Sequence, residues 1–338
     1  MAIARVNEDR DTTVLREFAY RGRHAWVSTK EALGLSRRGD QTFYVDRLSR
    51  MLRAGALGRR FKIMATGKND GAGSQAQAAM SAICFAEAHG LEYVHRPFTT
   101  IEHPETGMAE WARAWETHFN LGDGERQLCQ TDAPVIALDR LPMVPRADDV
   151  IVAAQHYLHF CNSDPNAWER VVPLLRKKYS RNKGRKSRAE LHIAVHMRRG
   201  DISGENWKVA RNFTPNASFL AALKRILAIV SAKVPDVRVS VFSQGHPEIF
   251  ADFSRLGCEL RLDEPALATH AELVDADVLV MSKSSFSYTA ALLGEGIAVY
   301  DPHKYRPLSD WIARTPDGDF DERAFRDRLD ALLAGTRR

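Results

Sequence analysis

The chain reads as an α/β protein built on parallel sheets, and three features of the sequence say so. Short apolar runs rich in Val and Ile recur along it, helical patterns lie between several of them, and the length suits two cores. Buried strands alternating with helices imply a parallel sheet covered on both faces. A chain of 338 residues exceeds one ordinary core and fits two domains of roughly 150 residues each.

The candidate strands, in order, are FKIMAT (61–66), LEYVHRPF (91–98), APVIALD (133–139), LHIAVHM (191–197), VRVSVFS (237–243), CELRLD (258–263), DVLVMS (277–282) and IAVYD (297–301). Each is a short apolar run of strand length. Ala76, Met80, Ile83 and Cys84 mark one helical face; Phe219, Leu223, Ile226, Leu227 and Val230 mark another. Both sets recur at three and four residues, the spacing of one side of a helix. Thr214 before Pro215 reads as an N-cap with proline at the first helical position. Pro247 opens EIFADFSRL and Gly257 ends it, while THAE (Thr269–Glu272) reads as a capping box opening a short helix.

Composition narrows the function classes. Hydrophobic content of 44% and charged content of 27% are those of a globular protein, and no run of about 18 apolar residues could span a bilayer. The opening MAIARVNEDRDTTVLREF lacks the apolar core of a secretory signal, so a cytoplasmic protein is expected. Cys84, Cys129, Cys161 and Cys258 lie far apart with no Cys-x-x-Cys pair, which suits free thiols in or near the cores and argues against structural zinc. The net charge of +5 is concentrated in RKKYSRNKGRKSR (176–188). That run reads as a solvated linker at the domain junction, dividing the chain into 1–180 and 181–338. Its functional alternative is a peripheral contact with an anionic membrane surface. No aromatic interleaving or zinc-finger spacing accompanies it, so no nucleic acid is expected.

Arg-Arg-Gly-Asp occurs twice, at Arg37–Asp40 and at Arg198–Asp201. The first copy leads into a helical pattern with no strand delivering it, and reads as surface. The second follows LHIAVHM directly, so Arg198 and Arg199 project from the carboxyl edge of a parallel sheet, where open α/β folds bind ligands. Guanidinium is always charged and pairs with phosphate oxygens, which makes two such residues on a rigid strand a phosphate clamp. The plainer reading is a pair salt-bridged to Asp201 at a domain seam.

A second stretch, DVLVMSKSSFSYTAALLGEG, runs from a strand through a hydroxyl-rich turn into a helix. The free N–H groups of that helix start, with Ser284, Ser285 and Ser287, form either an anion site or simply a cap. A third stretch, FKIMATGKNDGAGSQAQAAM, carries Gly71 and Gly73 between strand and helix and is either a binding loop or a tight turn. Two Asp-x-Asp elements, Asp275–Asp277 and the one inside Asp317–Glu322, mimic a metal signature. The first precedes its strand and the second opens the last helix, where acids favour the dipole, so no metal site is expected.

HMRRGD and MSKSSFSYTAALL resemble the paired motifs of the GDP-fucose-dependent glycosyltransferases, the α1,6, α1,2 and protein O-fucosyltransferase groups. His196, Arg198, Arg199 and Asp201 fill the first motif; Ala276, Asp277, Ser284, Ser285, Phe286 and Ser287 fill the second. VSVFSQGHPE, which contains Ser243, and the Gly71–Gly73 loop are also similar to stretches of that family. The resemblance covers residues 61 to 300 and implies two Rossmann-like domains facing each other across a cleft, the GT-B arrangement, with the acceptor on the first and the sugar nucleotide on the second. It implies an inverting, metal-independent fucosyltransferase acting from GDP-fucose on a glycan, a lipid-linked glycan or another hydroxyl, with no cofactor beyond the donor. On the same resemblance Arg198 holds the β-phosphate, Arg199 supports it, Ser284 to Ser287 meet the diphosphate and Asp277 faces the guanine. An inverting step also wants a carboxylate base, for which Asp201 and Glu205 are the candidates. Two other readings remain: the same architecture taking another nucleotide sugar, and a non-catalytic basic protein holding nucleic acid or a membrane surface.

Overall fold

Two parallel sheets organise the molecule. The computed structural model describes residues 41–55, 61–66, 70–143, 149–181, 190–200 and 212–336. In the first half, helix α1 (Gln41–Arg53) precedes β1 (Phe61–Ala65), and α2 (Ala72–His89) returns the chain to β2 (Glu92–His95). Helix α3 (Met108–Phe119) leads to β3 (Arg126–Gln127), β4 (Val135–Ala137) and β5 (Val150–Ala154), and α4 (Leu158–Ser163) and α5 (Ala167–Ser180) follow. The strand order is β3-β2-β1-β5-β4, and every pairing is parallel.

The second half starts at β6 (Leu191–His196), followed by α6 (Asn216–Val230), β7 (Val237–Ser243), α7 (Ala251–Arg255) and β8 (Glu259–Leu262). Then come α8 (Ala266–Val274), β9 (Val278–Val280), α9 (Ser285–Leu293), β10 (Ile297–Tyr300), β11 (Ile312–Ala313) and α10 (Glu322–Thr336). Their order is β11-β10-β9-β6-β7-β8, again parallel throughout. Each of the eight anticipated runs contains a strand. Strands β3 and β11, two residues each, are too short to show a period. Strand β5 was also not anticipated, although VIVAA is buried at all five positions and lies between β1 and β4.

Helix α2 is buried nearly all round, not on one stripe, because sheet, α5 and α9 surround it. Its alanines allow that close approach, and Gly90 in the left-handed region (φ 62°) closes it. Two expected caps fall elsewhere. Helix α6 begins one residue after Pro215, and Thr214 Oγ1 donates to Asp301 Oδ2 at 2.6 Å instead of capping it. Thr269 lies inside α8, whose first N–H, on Ala266, donates to Glu105 Oε1 at 2.7 Å; this cap comes from the other half of the chain. Gly257 does end its helix, at φ +83°.

One core is continuous across both halves: Trp168 of α5 lies edge-on to Tyr288 of α9, and Trp115 of α3 meets Phe286. A second core packs α6 and α10 against the far face of the second sheet. The thiols of Cys84, Cys161 and Cys258 are buried and free, while Cys129 is exposed, against expectation. No described helix is long and apolar enough to cross a membrane.

The basic run is in part structural. Arg176 donates to Leu292 O at 3.1 Å, buried Lys178 pairs with Glu125 at 2.6 Å, and Arg181 pairs with Asp123. These belong to the end of α5 and not to a solvated linker; residues 182–188 lie outside the described ones.

Candidate functional site

Strand order locates the site before any side chain is considered. In the second sheet the chain builds outward from β6 in both directions, to β7 and β8 on one side and to β9, β10 and β11 on the other. The β6/β9 junction is therefore a topological switch point, where loops leaving neighbouring carboxyl ends diverge and open a crevice. Met197–Gly200 leaves β6 there and Met281–Ser284 leaves β9. The first sheet has its own switch at β1/β5, and the loop leaving β1 carries Asp70 and Gly71.

The two switch points meet. A Cβ placed on Gly73 would stand 3.0 Å from the carbonyl carbon of Ser285 and 2.7 Å from Phe286 Cα. The first turn of α2 is thus in backbone contact with the first turn of α9. Gly73 serves helix packing, not the approach of a ligand. Gly71, at the N-cap of α2, faces open space.

Within the second unit, His196 and Ser282 tie the paired loops together through a 2.9 Å hydrogen bond between Nδ1 and Oγ. Burial, with the Arg198 and Arg199 charges adding to it, lowers His196 to about 3. Its imidazole is neutral and orients the loop. Arg198 is half-buried, and its charge acts on both His196 and Tyr305.

Arg199 is engaged differently from the expected phosphate support. It donates to Arg198 O at 2.8 Å, to Thr214 O at 2.9 Å and to Asn216 Oδ1 at 2.5 Å, with its guanidinium 4.6 Å from the Phe213 ring centroid. Burial lowers it to about 10, so it stays charged at neutral pH. Arg199 fixes the loop that presents Arg198.

The helix start divides in the same way. Ser284 is the N-cap of α9, its Oγ accepting from Phe286 N–H at 3.2 Å. Ser285 is half-buried at the first helical position. Ser287 turns inward: it is fully buried and donates to Ser282 O at 3.2 Å. Phe286 packs into the shared core between His196, His270 and Trp115. Ser243, at the end of β7, donates to Met197 O at 2.7 Å and steadies the loop after β6.

A histidine pair locks α9 to the first unit. Thr289 Oγ1 lies 2.9 Å from Ser285 O and 3.1 Å from Phe286 O, so its single proton is directed at the helix carbonyls and it accepts from His270 Nε2 at 3.1 Å. His270 Nδ1 must then accept from His118 Nε2–H at 2.9 Å. Sequence reasoning missed this relay because its members are 152 residues apart.

Asp277 does not join the group. It stands at the opposite edge of the sheet, before β9, where Oδ2 accepts from His192 N–H at 2.8 Å and its own N–H donates to His192 O at 3.0 Å. A residue that begins a parallel strand cannot reach the crevice at that strand's carboxyl end. Asp321 Oδ1 accepts from Ala324 N–H at 2.9 Å, capping the last helix, and Asp319 pairs with Arg225 at 2.6 Å. Asp201, Glu205 and the Arg37–Asp40 copy lie outside the described residues.

No family model matches the chain. No curated protein matches it either. Among solved structures it is similar to NodZ α-1,6-fucosyltransferase co-crystallised with GDP, at TM-score 0.40 and 17% identity, covering 72% of this chain and 96% of that one. It is similar to POFUT1 in complex with GDP-fucose, at TM-score 0.38 and 14% identity over 70% of this chain and 96% of that one. It is also similar to a mutant of Arabidopsis thaliana FUT1 in complex with GDP, at TM-score 0.36 and 11% identity over 80% of each chain.

Past the carboxyl ends of β9 and β10 lies a charge cluster that sequence reasoning did not single out. Asp301, at the end of β10, accepts from fully buried Arg314 at 2.8 Å and from Thr214, and Lys283 Nζ stands 3.8 Å from its other oxygen. A surface cavity of about 540 Å³ between α1 and α4 includes none of the expected site residues.

Proposed function

We propose that the chain is an inverting, metal-independent glycosyltransferase of the GT-B type, moving fucose from GDP-fucose to a hydroxyl on a glycan, a lipid-linked glycan or another acceptor. The observation that carries this reading is that Arg198 and the mouth of α9 leave neighbouring strands at one switch point. A guanidinium and a set of converging N–H groups there suit a diphosphate approached from two sides. The resemblance of His196, Arg198 and Ser284–Ser287 to the fucosyltransferase motifs supports GDP-fucose as the donor.

The chemistry follows the charge. As the bond from fucose to the β-phosphate breaks, negative charge grows on the leaving oxygen and positive character on the sugar. Arg198, held by the loop that Arg199 and Ser243 fix, meets that charge with little reorganisation. The N–H of Ser285 belongs to the same mouth, whose geometry Ser284 sets by accepting from Phe286 N–H. The proton of the acceptor hydroxyl is assigned to a carboxylate, with Asp201 and Glu205 as candidates.

The test is ligand-dependent melting followed by turnover. A ligand at a hundredfold excess over Kd stabilises by about 2.7 kcal/mol, so GDP should raise the melting temperature clearly and UDP should not. The reverse ranking would assign a different nucleotide sugar. Arg198→Ala should abolish release of GDP from GDP-fucose while the protein stays folded, and normal turnover by that variant would remove the assignment.

A further inference from the structure

We infer that Lys283 is a second phosphate-binding cation, held in reserve against Asp301 and released to the donor diphosphate. This rests on the reading of the β6/β9 crevice as the donor site. Lys283 lies between Ser282, which bonds His196, and Ser284, the N-cap of α9, so it is on the turn that leaves β9 at the switch point. Its side chain is 23% exposed, and its ammonium stands 3.8 Å from Asp301 Oδ1, a loose contact for an ion pair.

Asp301 does not depend on Lys283. Its other oxygen accepts from Arg314 at 2.8 Å and from Thr214 Oγ1 at 2.6 Å, and both partners are buried. Arg314 is itself fixed by Ser218 Oγ at 2.6 Å and stacks 4.3 Å from the centre of the Phe219 ring, so it cannot follow a ligand. One carboxylate therefore faces two cations, one fixed and buried, the other partly exposed at the end of a long unbranched stem. The surplus positive charge sits on the residue able to move. Lysine's four-carbon stem lets its ammonium swing from Asp301 toward the crevice while Arg314 keeps the carboxylate neutralised. With Arg198 this sets two cations against a diphosphate carrying two negative charges in the sugar nucleotide and more in free GDP.

The difference between those charges supplies the test. Calorimetric titration of the full chain with GDP and with GDP-fucose should show that Lys283→Met weakens GDP at least tenfold, about the worth of one charge-assisted contact. GDP-fucose should weaken less, and the salt dependence of GDP binding should become shallower. Lys283→Arg should restore most of the GDP affinity, and Lys283→Gln should repeat the loss; ligand-free melting should be unchanged in all three. GDP binding by Lys283→Met within twofold of wild type would overturn the inference and leave the donor site standing. A wild-type chain that binds neither GDP nor UDP would instead bring down the donor-site reading and this inference together. If Lys283→Met and Lys283→Gln lower melting and affinity in parallel and Lys283→Arg rescues neither, Lys283 is only a structural counter-ion and the inference fails.

Discussion

Gly73 lies so close to Phe286 that a methyl group on the glycine would stand 2.7 Å from the Phe286 Cα and 2.8 Å from its nitrogen. Backbone meets backbone there, so neither side can yield by a rotamer change. The first turn of α2, from the first sheet, therefore sets the position of the first turn of α9, from the second. The relay from His118 through His270 to Thr289 holds the same helix from its other side. The proposed diphosphate mouth is braced by both halves of the chain.

Gly73→Ala is accordingly expected to destabilise by about 1–3 kcal/mol, the usual cost of overpacking a close contact. Gly71→Ala meets open space and should change stability by less than about 1 kcal/mol. Urea denaturation separates the two. Equal midpoints for both variants would show that α9 does not rest on Gly73.

Buried His196 and half-buried His89 predict a loss of stability toward acid. His196 is lowered to about 3 and His89 to about 4, in both cases chiefly by burial, whereas an unfolded chain protonates them near 6.5. Above pH 6.5 both states are neutral at these sites and neither residue contributes. As the pH falls from 6.5 toward 3 the unfolded state binds the protons first, so stability falls with pH. At pH 4.5 His196 alone should cost about 2–3 kcal/mol, from two pH units at 1.36 kcal/mol each. Denaturation midpoints at pH 7 and pH 4.5 test this. His196→Asn should start lower at pH 7 and decline less on acidification; an unchanged decline would assign the acid sensitivity elsewhere.

How far the sequence could be read depended on the range of the interactions. The eight runs reached their strands because each is a short local pattern of apolar residues, although β4 and β8 hold no fully buried residue, and Gly257 ended its helix because a left-handed residue is a local requirement. Strand β5 was missed although VIVAA is a continuous apolar run like the others and follows Pro145, Asp148 and Asp149. Arg198 and the turn at Ser284 were legible because each follows a strand end directly. The roles of Arg199, Ser287 and Gly73 were not, since what each touches lies beyond its own segment. The cap on α8 comes from Glu105, 161 residues away, where no capping box could show it. Asp277 was drawn into the site by its motif and excluded by its place at the start of β9.

Asp277 accordingly yields a prediction opposite to that of a base-recognition residue. Its carboxylate accepts from His192 N–H and its backbone closes the same bridge, pinning the starts of β6 and β9. Asp277→Ala should cost about 1–3 kcal/mol by stripping a partner from that N–H. Affinity for GDP should stay within twofold of wild type in the folded fraction. Calorimetry on the variant is decisive: a selective loss of GDP over UDP, with stability intact, would put Asp277 back at the guanine.

The adjacent arginines should separate in the same manner. Arg199 donates to Arg198 O, Thr214 O and Asn216 Oδ1, joining the end of β6 to the start of α6, and its ring contact with Phe213 needs a planar guanidinium. Arg199→Ala should cost about 2–3 kcal/mol, and Arg199→Lys should recover only part of it because an ammonium cannot reproduce the fork. Donor affinity should fall as well, since the loop carrying Arg198 loses its anchor. Arg198→Ala should leave stability within about 1 kcal/mol of wild type and remove donor binding directly. Denaturant midpoints paired with GDP titration give each variant a position on both axes. If both arginines lower affinity with no loss of stability, they form one phosphate clamp, and the division of labour drawn from their hydrogen bonds is wrong.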